Sequence, residues 1–231
     1  MGLLSALRTA AVSLVGIEVA GRPHAGSLSV VGTGMQGSMH TFLLLDRLAT
    51  LRRVALFDRD AAAAAALARR IGAAGSSADV VLGESAESTI RGADLVVLTT
   101  TADEGYVQPH WIAPGALVVN VSLGDLTDAA LLRSAALYVD SVELVRENPR
   151  RPLGRLIQAG LIGVPDSAGG AGKRIDGTIG GLLTGRCRAT PPGQSYTVLN
   201  PFGMGVLDVA LLHAVSRAAV TAGVGTGLRL G

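Results

Sequence analysis

The sequence predicts an α/β fold, a doubly wound parallel sheet flanked by an N-terminal and a C-terminal helix. Three observations predict it. Short apolar runs alternate with helical stretches over roughly residues 27–140, the pattern of strands buried on both faces. A G-x-G-x-x-G, Gly32-Thr33-Gly34-Met35-Gln36-Gly37, stands directly between the first such run and a helix, the Rossmann-type arrangement. The next apolar run ends on an acidic residue, Asp58, 21 residues after Gly37.

Taken in order, residues 3–19 read as a helix of small and apolar residues, and the Gly/Pro content of 21–26 reads as a loop. Leu28–Val31 is a strand, followed by the glycine loop and a helix to about Leu48. Val54–Phe57 is a second strand. Asp60 caps a helix built on the alanines 61–66, the strongest helix formers, and Gly72 is expected to end it. Asp79–Leu82, Asp94–Leu98, Ala116–Val121 and Leu137–Val139 are further strands, with helices over Glu84–Arg91 and Leu126–Ala135. Beyond Pro149 the texture changes. Residues 160–176 are loop-like and Gly-rich, Thr178–Thr184 is a short helix, Tyr196–Leu199 a strand, and Val206–Val220 a long helix expected to pack back on the first. The chain divides into a helix at 1–26, a nucleotide-binding domain at 27–200 and a returning C-terminal piece at 201–231.

Composition narrows the function. Hydrophobic residues make up 48% of the 231 and charged residues 16%, ample for a core and unlike a disordered chain. Aromatics are only 3%, which argues against a base-stacking nucleic-acid platform. The net charge is +2 and the arginines are scattered, so no basic stripe marks nucleic acid as a partner. No uncharged apolar run reaches 18 residues, so no spanning helix and no membrane partner are expected. The N-terminus lacks a signal-peptide pattern. A single cysteine, Cys187, excludes an internal disulfide and a cysteine metal cluster, and the four histidines lack metal-ligand spacing; no metal is expected, and a cytoplasmic address fits.

The glycine motif carries the chemistry. Gly32 permits the tight turn, Gly34 lets the backbone approach a pyrophosphate, and Gly37 lets helix and strand pack closely. The helix N-terminus then offers free N–H groups to phosphate. A carboxylate at Asp58 suits the two ribose hydroxyls of NAD and repels a 2′-phosphate, although Arg59 and Arg53 stand near enough in sequence to tolerate one. The alternative is a purely structural glycine turn. Ligands of such sheets lie at the carboxyl ends of strands, which singles out Thr99–Thr101 and Ser122–Asp125. Asp125 there reads as a general acid/base or as a helix cap, a role Thr127 could take instead. Arg8, in an apolar helix, reads as a carboxylate clamp or as a solvated surface arginine. His40 and His213 read as core or surface residues, and Cys187 as a bystander. Pro201–Gly205 opens the last helix as a second glycine-rich turn.

Several of these stretches resemble the ornithine cyclodeaminase/μ-crystallin family: Arg8-Thr9-Ala10-Ala11, the loop 32–37 with its glutamine, Ala93–Thr100, Ser122–Asp125 and Ile179–Arg186. The resemblance implies NAD as cofactor, bound by Gly32, Gly34, Met35, Gln36, Gly37, Asp58, Arg59, Thr100, Ser122, Phe202 and Gly203. It implies Arg8 on the substrate carboxylate and Asp125 as the catalytic acid/base. The stretches 121–126, 139–142 and 200–208 are similar to the 2,3-diaminopropionate biosynthesis dehydrogenases. That branch implies oxidation of a glutamate Cα–N bond of N-(2-amino-2-carboxyethyl)-L-glutamate with NAD, hydrolysis to 2-oxoglutarate and 2,3-diaminopropionate, and a place in siderophore or antibiotic biosynthesis. Ornithine cyclodeamination, ketimine reduction and cofactor binding without turnover are the alternatives. After Asp125 the sequence runs Leu126-Thr127-Asp128-Ala129, without the Pro-Gly-Lys of the cyclodeaminases, which disfavours ornithine. Members carry a long additional stretch, including a substrate-side lysine, ahead of the Arg8 helix. The end helices are therefore expected to belong to an incomplete substrate and dimerisation domain, the chain to be a fragment, mis-started or degenerate, and the partner to be a second copy in a homodimer.

Overall fold

A computed structural model gives the fold and describes residues 2–165 and 172–226. Residues 166–171 of the expected glycine-rich loop, and 227–231 of the C-terminal piece, lie outside the described residues. The elements in chain order are α1 (Leu3–Val19), β1 (Ser27–Val31), α2 (Met35–Arg47), β2 (Arg53–Phe57), α3 (Ala61–Ala73), β3 (Asp79–Leu82), α4 (Ala86–Ile90), β4 (Leu95–Leu98), β5 (Leu117–Asn120), α5 (Asp128–Arg133), β6 (Ala136–Val139), α6 (Val142–Arg146), α7 (Pro152–Gln158), β7 (Gly177–Thr178), α8 (Ile179–Leu183), β8 (Thr197–Asn200) and α9 (Gly205–Ala222). A 3₁₀ turn spans Pro109–Trp111.

The strands form one eight-stranded parallel sheet in the order β3-β2-β1-β4-β5-β8-β6-β7. β1, β4, β5, β6 and β8 are apolar and almost wholly buried because helices cover both faces. One face packs under α1, α2 and α3 through Leu14, Ile17, Leu44, Leu48 and Ile71. The other packs under α4, α5 and α7 through Ile90, Leu131 and Leu156. The chain order reverses between β1 and β4, which opens a crevice at their carboxyl ends.

Local chemistry explains the helix ends. Asp60 caps α3 by accepting from the Ala62 N–H at 3.0 Å. α3 continues through Gly72 to Ala73, and the left-handed residue is Gly75 at φ +75°, so the expected stop at Gly72 is three residues early. Thr127 caps α5 by accepting from the Ala130 N–H, which frees Asp125 from that role. α6 and α7 were not foreseen.

α1 buries Ala6, Ala10, Ser13, Leu14 and Ile17, a stripe at helical spacing, against α2 and the sheet. Its Gly16 lies so close to β8 that a Cβ there would meet Leu199 Cδ1 at 2.8 Å. α9 does return to α1, as expected, through an ion pair from Arg8 Nε to Asp208 Oδ1 at 3.0 Å. No residue of α9 is buried. By length and composition α9 is apolar enough to cross a membrane, with mean hydropathy 1.3. Asp208 and Arg217 interrupt this helix, so it holds no uncharged apolar run of 18 residues.

Candidate functional site

The crevice between β1 and β4 is held open by glycine. Gly32 has φ +93°, and a Cβ there would lie 2.7 Å from the Thr99 carbonyl carbon. Only glycine makes that turn at that approach. Gly37 packs beneath, where a Cβ would lie 2.0 Å from the Gly32 carbonyl oxygen. At Gly34, the N-cap of α2, a Cβ would meet nothing within 4 Å. The first N–H groups of α2 therefore face open space, where a helix offers anions its positive end.

Asp58 follows β2 at the edge of this crevice. Its Oδ2 accepts from the Thr33 N–H at 2.6 Å and from Thr33 Oγ1 at 3.1 Å, and its Oδ1 accepts from the Asp60 N–H at 3.0 Å. A cleft of about 410 Å³ opens here, lined among others by Phe57, Asp58, Arg59, Gly32, Gly34 and Ala86. Arg53 opens β2 and Asp58 follows its other end, so roughly 16 Å of strand separates them. The expectation that Arg53 stands close to Asp58 is corrected on that ground. Arg59 does line the cleft.

A second cleft, of about 490 Å³, lies on the α1 side. It gathers Arg8 and Thr9, Gln36, Ser122, Leu123, Phe202 and Gly203. Both clefts share Thr99, Thr100, Thr101 and Ala102, so they form one continuous groove across the end of β4. Ser122, Phe202, Gly203 and Gln36, expected on the cofactor, all belong to this second part. Met35 belongs to neither: its side chain is 51% exposed in a separate surface hollow with Leu3, Phe42 and Leu67. Any role in the groove is confined to its backbone.

Arg8 is only partly exposed. Asp208 takes its Nε, and the rest of the guanidinium lies against Gly203, where a Cβ would sit 2.8 Å from Nη1. Gly203 adopts φ +92°, so this close approach and the turn both need glycine. The turn is pinned by Asp140, whose carboxylate accepts from the N–H groups of Phe202 at 3.0 Å and Gly203 at 2.6 Å. The sequence showed Asp140 only as a strand end. Leu123 has φ +67°, the one non-glycine residue with positive φ among those described, and it lines the same cleft. Leucine in that conformation stores about 1–2 kcal/mol of strain. A leucine gives no sequence signal for it.

Asp125 is fully buried and lines neither cleft. Its carboxylate accepts from Thr100 Oγ1 and from Ser122 Oγ, both of which do reach the groove. Burial raises its pKa above the ordinary aspartate value, and the two hydroxyls act against that rise. Tyr106 is held by its N–H to the Asp125 carbonyl at 2.9 Å. Its hydroxyl is buried beside Thr100 and Asp125, and burial with the nearby Asp125 charge pushes its pKa upward. A buried carboxyl thus lies behind Thr100, Ser122 and Tyr106, which line the groove.

The remaining candidates have structural roles. His40 is wholly buried, with Nδ1 2.8 Å from the Gln36 carbonyl and Nε2 2.8 Å from Ser13 Oγ. Cys187 packs between Gly177 and Gly181. Lys173 donates to the Ser134 carbonyl at 2.9 Å and to Asp176 at 3.3 Å, away from the groove. Among the described residues no group of three His, Cys, Asp or Glu could hold a metal. Arg151, unmarked in the sequence, lines the second cleft.

Several known proteins are similar to this chain. The model of the ornithine cyclodeaminase/mu-crystallin family matches residues 1–222. N-((2S)-2-amino-2-carboxyethyl)-L-glutamate dehydrogenase of Staphylococcus aureus is 22% identical over 99% of this chain and 65% of its own length. The crystal structure of CmnK superposes with TM-score 0.87 at 37% identity, over 100% of this chain and 65% of that one. An archaeal alanine dehydrogenase dimer with bound NAD shares the fold, with TM-score 0.82 at 21% identity over 98% of this chain and 67% of that one. The chain thus spans about two thirds of the length of the proteins it matches.

Proposed function

The chain belongs to the ornithine cyclodeaminase/mu-crystallin family, and from that premise we propose that it binds NAD and oxidises the CH–NH bond of an amino acid. The substrate we propose is N-(2-amino-2-carboxyethyl)-L-glutamate, the compound in the name of the Staphylococcus aureus relative. The observation that carries the reading is the single groove in which a glycine-built phosphate cradle and Arg8 meet across Thr99–Ala102.

The residues fit the cofactor. The space beyond Gly34, which a side chain would fill, has room for the pyrophosphate, and Asp58 stands where a ribose would present its hydroxyls. When bound, NAD supplies a hydride acceptor for the substrate Cα. Arg8 would grip the α-carboxylate through Nη1 and Nη2, the edge that Asp208 leaves open. That grip, with the Asp140-pinned turn beneath it, fixes Cα over the shared wall, and positioning of this kind supplies much of a rate. The Thr100 and Ser122 hydroxyls reach the groove and can take a proton from water as it attacks the imine, each handing its own proton on to Asp125. Asp125 acts through them, holding each hydroxyl by its oxygen and taking up the proton at its own carboxylate. It is a positioning residue rather than one that touches substrate. Residues 27–200 would hold the cofactor, with α1 and the 201–226 segment as the substrate side. The alanine dehydrogenase likeness extends the proposal to a homodimer, and the family's metabolic roles extend it to a cytoplasmic address.

The test is a near-ultraviolet assay of NADH formation from NAD and this substrate, with nucleotide binding measured separately. NADH appearing together with 2-oxoglutarate supports the proposal. Proline formation from ornithine, or oxidation of NADH by a cyclic ketimine alone, replaces the reaction while keeping the site. Saturable NAD binding with no turnover on any of the three refutes catalysis.

A further inference from the structure

The groove holds a second cation that the reaction as written does not use. Arg151 stands at the N-cap of α7 and lines the same cleft as Arg8. Its backbone is fixed from both sides. Its N–H donates to the Asn148 carbonyl at 3.1 Å, and its carbonyl accepts from Arg155 at 2.9 Å. The turn ahead of it is closed around Gly154, where a Cβ would lie 2.7 Å from the Val145 carbonyl oxygen. α7 is in turn tied to α5 by an ion pair from Arg155 to Asp128 at 2.6 Å. The guanidinium itself has no hydrogen bond or ion pair among the described residues. Among the described residues Asp103 is the only acidic side chain lining the cleft, and Asp208 is paired with Arg8.

Two guanidinium groups on one cleft of about 490 Å³ set a charge requirement on whatever fills it. Arg8 already has Asp208 on its Nε, so a substrate carboxylate at Arg8 still leaves Arg151 without a counter-ion among the described residues. A diamino acid would bring a second ammonium toward the unpaired Arg151. A second carboxylate answers Arg151 in the fork geometry that arginine favours. We infer that Arg151 binds the distal carboxylate of the substrate and selects dicarboxylic amino acids and oxo acids over aliphatic and diamino ones. The inference rests on the proposed dehydrogenase site and names the substrate class that site accepts.

The test uses two oxo acids of equal carbon number, 2-oxoglutarate and 2-oxopentanoate, which differ in the terminal carboxylate. NADH binding to the full chain is first measured by nucleotide fluorescence, and each acid is then titrated calorimetrically into the NADH-saturated protein. Wild type is expected to prefer 2-oxoglutarate roughly 10- to 100-fold, the worth of a charge-assisted hydrogen bond. Arg151→Ala should reduce that preference to about twofold while leaving affinity for NADH and for 2-oxopentanoate unchanged. Arg151→Lys should retain part of it, and Arg151→Gln replaces the alanine variant should that fail to fold. A wild type without the preference, or an Arg151 variant that keeps it, overturns the inference and leaves the NAD site standing. A wild type that binds no NADH overturns the dehydrogenase reading itself, and the inference with it.

Discussion

His40 ties α1 to α2 through a buried chain of hydrogen bonds, from Ser13 through the imidazole to the Gln36 carbonyl. Burial lowers its pKa from 6.5 to about 4, while the bond to Gln36 works against that fall. Between those two values the unfolded chain binds a proton that the folded chain does not. Stability is therefore complete above about pH 6.5, declines as the pH falls toward 4 and levels off below it. Each pH unit between the two states is worth about 1.4 kcal/mol, so the whole decline attributable to this ring is about 3 kcal/mol. Asp125, whose pKa is raised, acts in the opposite direction over the acid range, so the ring's share must be read by difference. Urea unfolding of wild type and His40→Leu, followed by circular dichroism from neutral pH down to pH 4, isolates it. The variant should lose about 1–3 kcal/mol at neutral pH, because the Gln36 carbonyl loses its imidazole donor. Its profile should then be flatter than wild type by the 3 kcal/mol. Parallel profiles would refute the assignment of a neutral, buried imidazole.

Three further outcomes follow from the groove. Asp58→Ala removes the acceptor for the Thr33 N–H and, on the proposed reading, for a ribose hydroxyl, so NAD affinity measured by calorimetry should fall roughly 10- to 100-fold. Gly37→Ala forces α2 away from the Gly32 carbonyl and should cost about 1–3 kcal/mol of unfolding free energy together with NAD binding; an unchanged Tm would contradict the packing described. Asp125→Asn keeps one acceptor oxygen but turns a donor toward the other hydroxyl. Its kcat should drop roughly 100-fold, with the acid limb of the pH–rate profile lost and NAD affinity within about twofold of wild type. Loss of NAD binding would make Asp125 a structural residue.

The proposed nucleotide half of this site is legible in the sequence because its signals are local. The glycine spacing, the strand ahead of it and Asp58 behind it all lie within thirty-one residues, Leu28 to Asp58, and each maps to one backbone requirement. The substrate half is not. Arg151 reads as any solvated arginine until α7 is folded against α5, and Asp140 reads as a strand end until residues 202–203 arrive on it. Asp125 has the residue type of an acid/base and the position of a strand-end ligand, yet the chain turns its side chain inward. That direction depends on Thr100 and Ser122, which come from two different strand ends. β7 has only two residues, too few for any periodicity, and the place of β8 between β5 and β6 is a property of pairing rather than of composition.

That place of β8 bears on how the chain comes to be folded. β5 pairs only with β4 and β8, and β6 only with β8 and β7. While a ribosome has yet to deliver residues 197–200, β5 is a bare edge and β6 has nothing but a two-residue neighbour to hold it. The first five strands can assemble early from near neighbours in sequence, but β5 and β6 are joined only once residues 197–200 are made, a slow, non-local step. Until then an apolar, fully pairable strand edge is open to other chains, which makes the nascent protein a natural client for chaperones and its C-terminally shortened forms prone to aggregate.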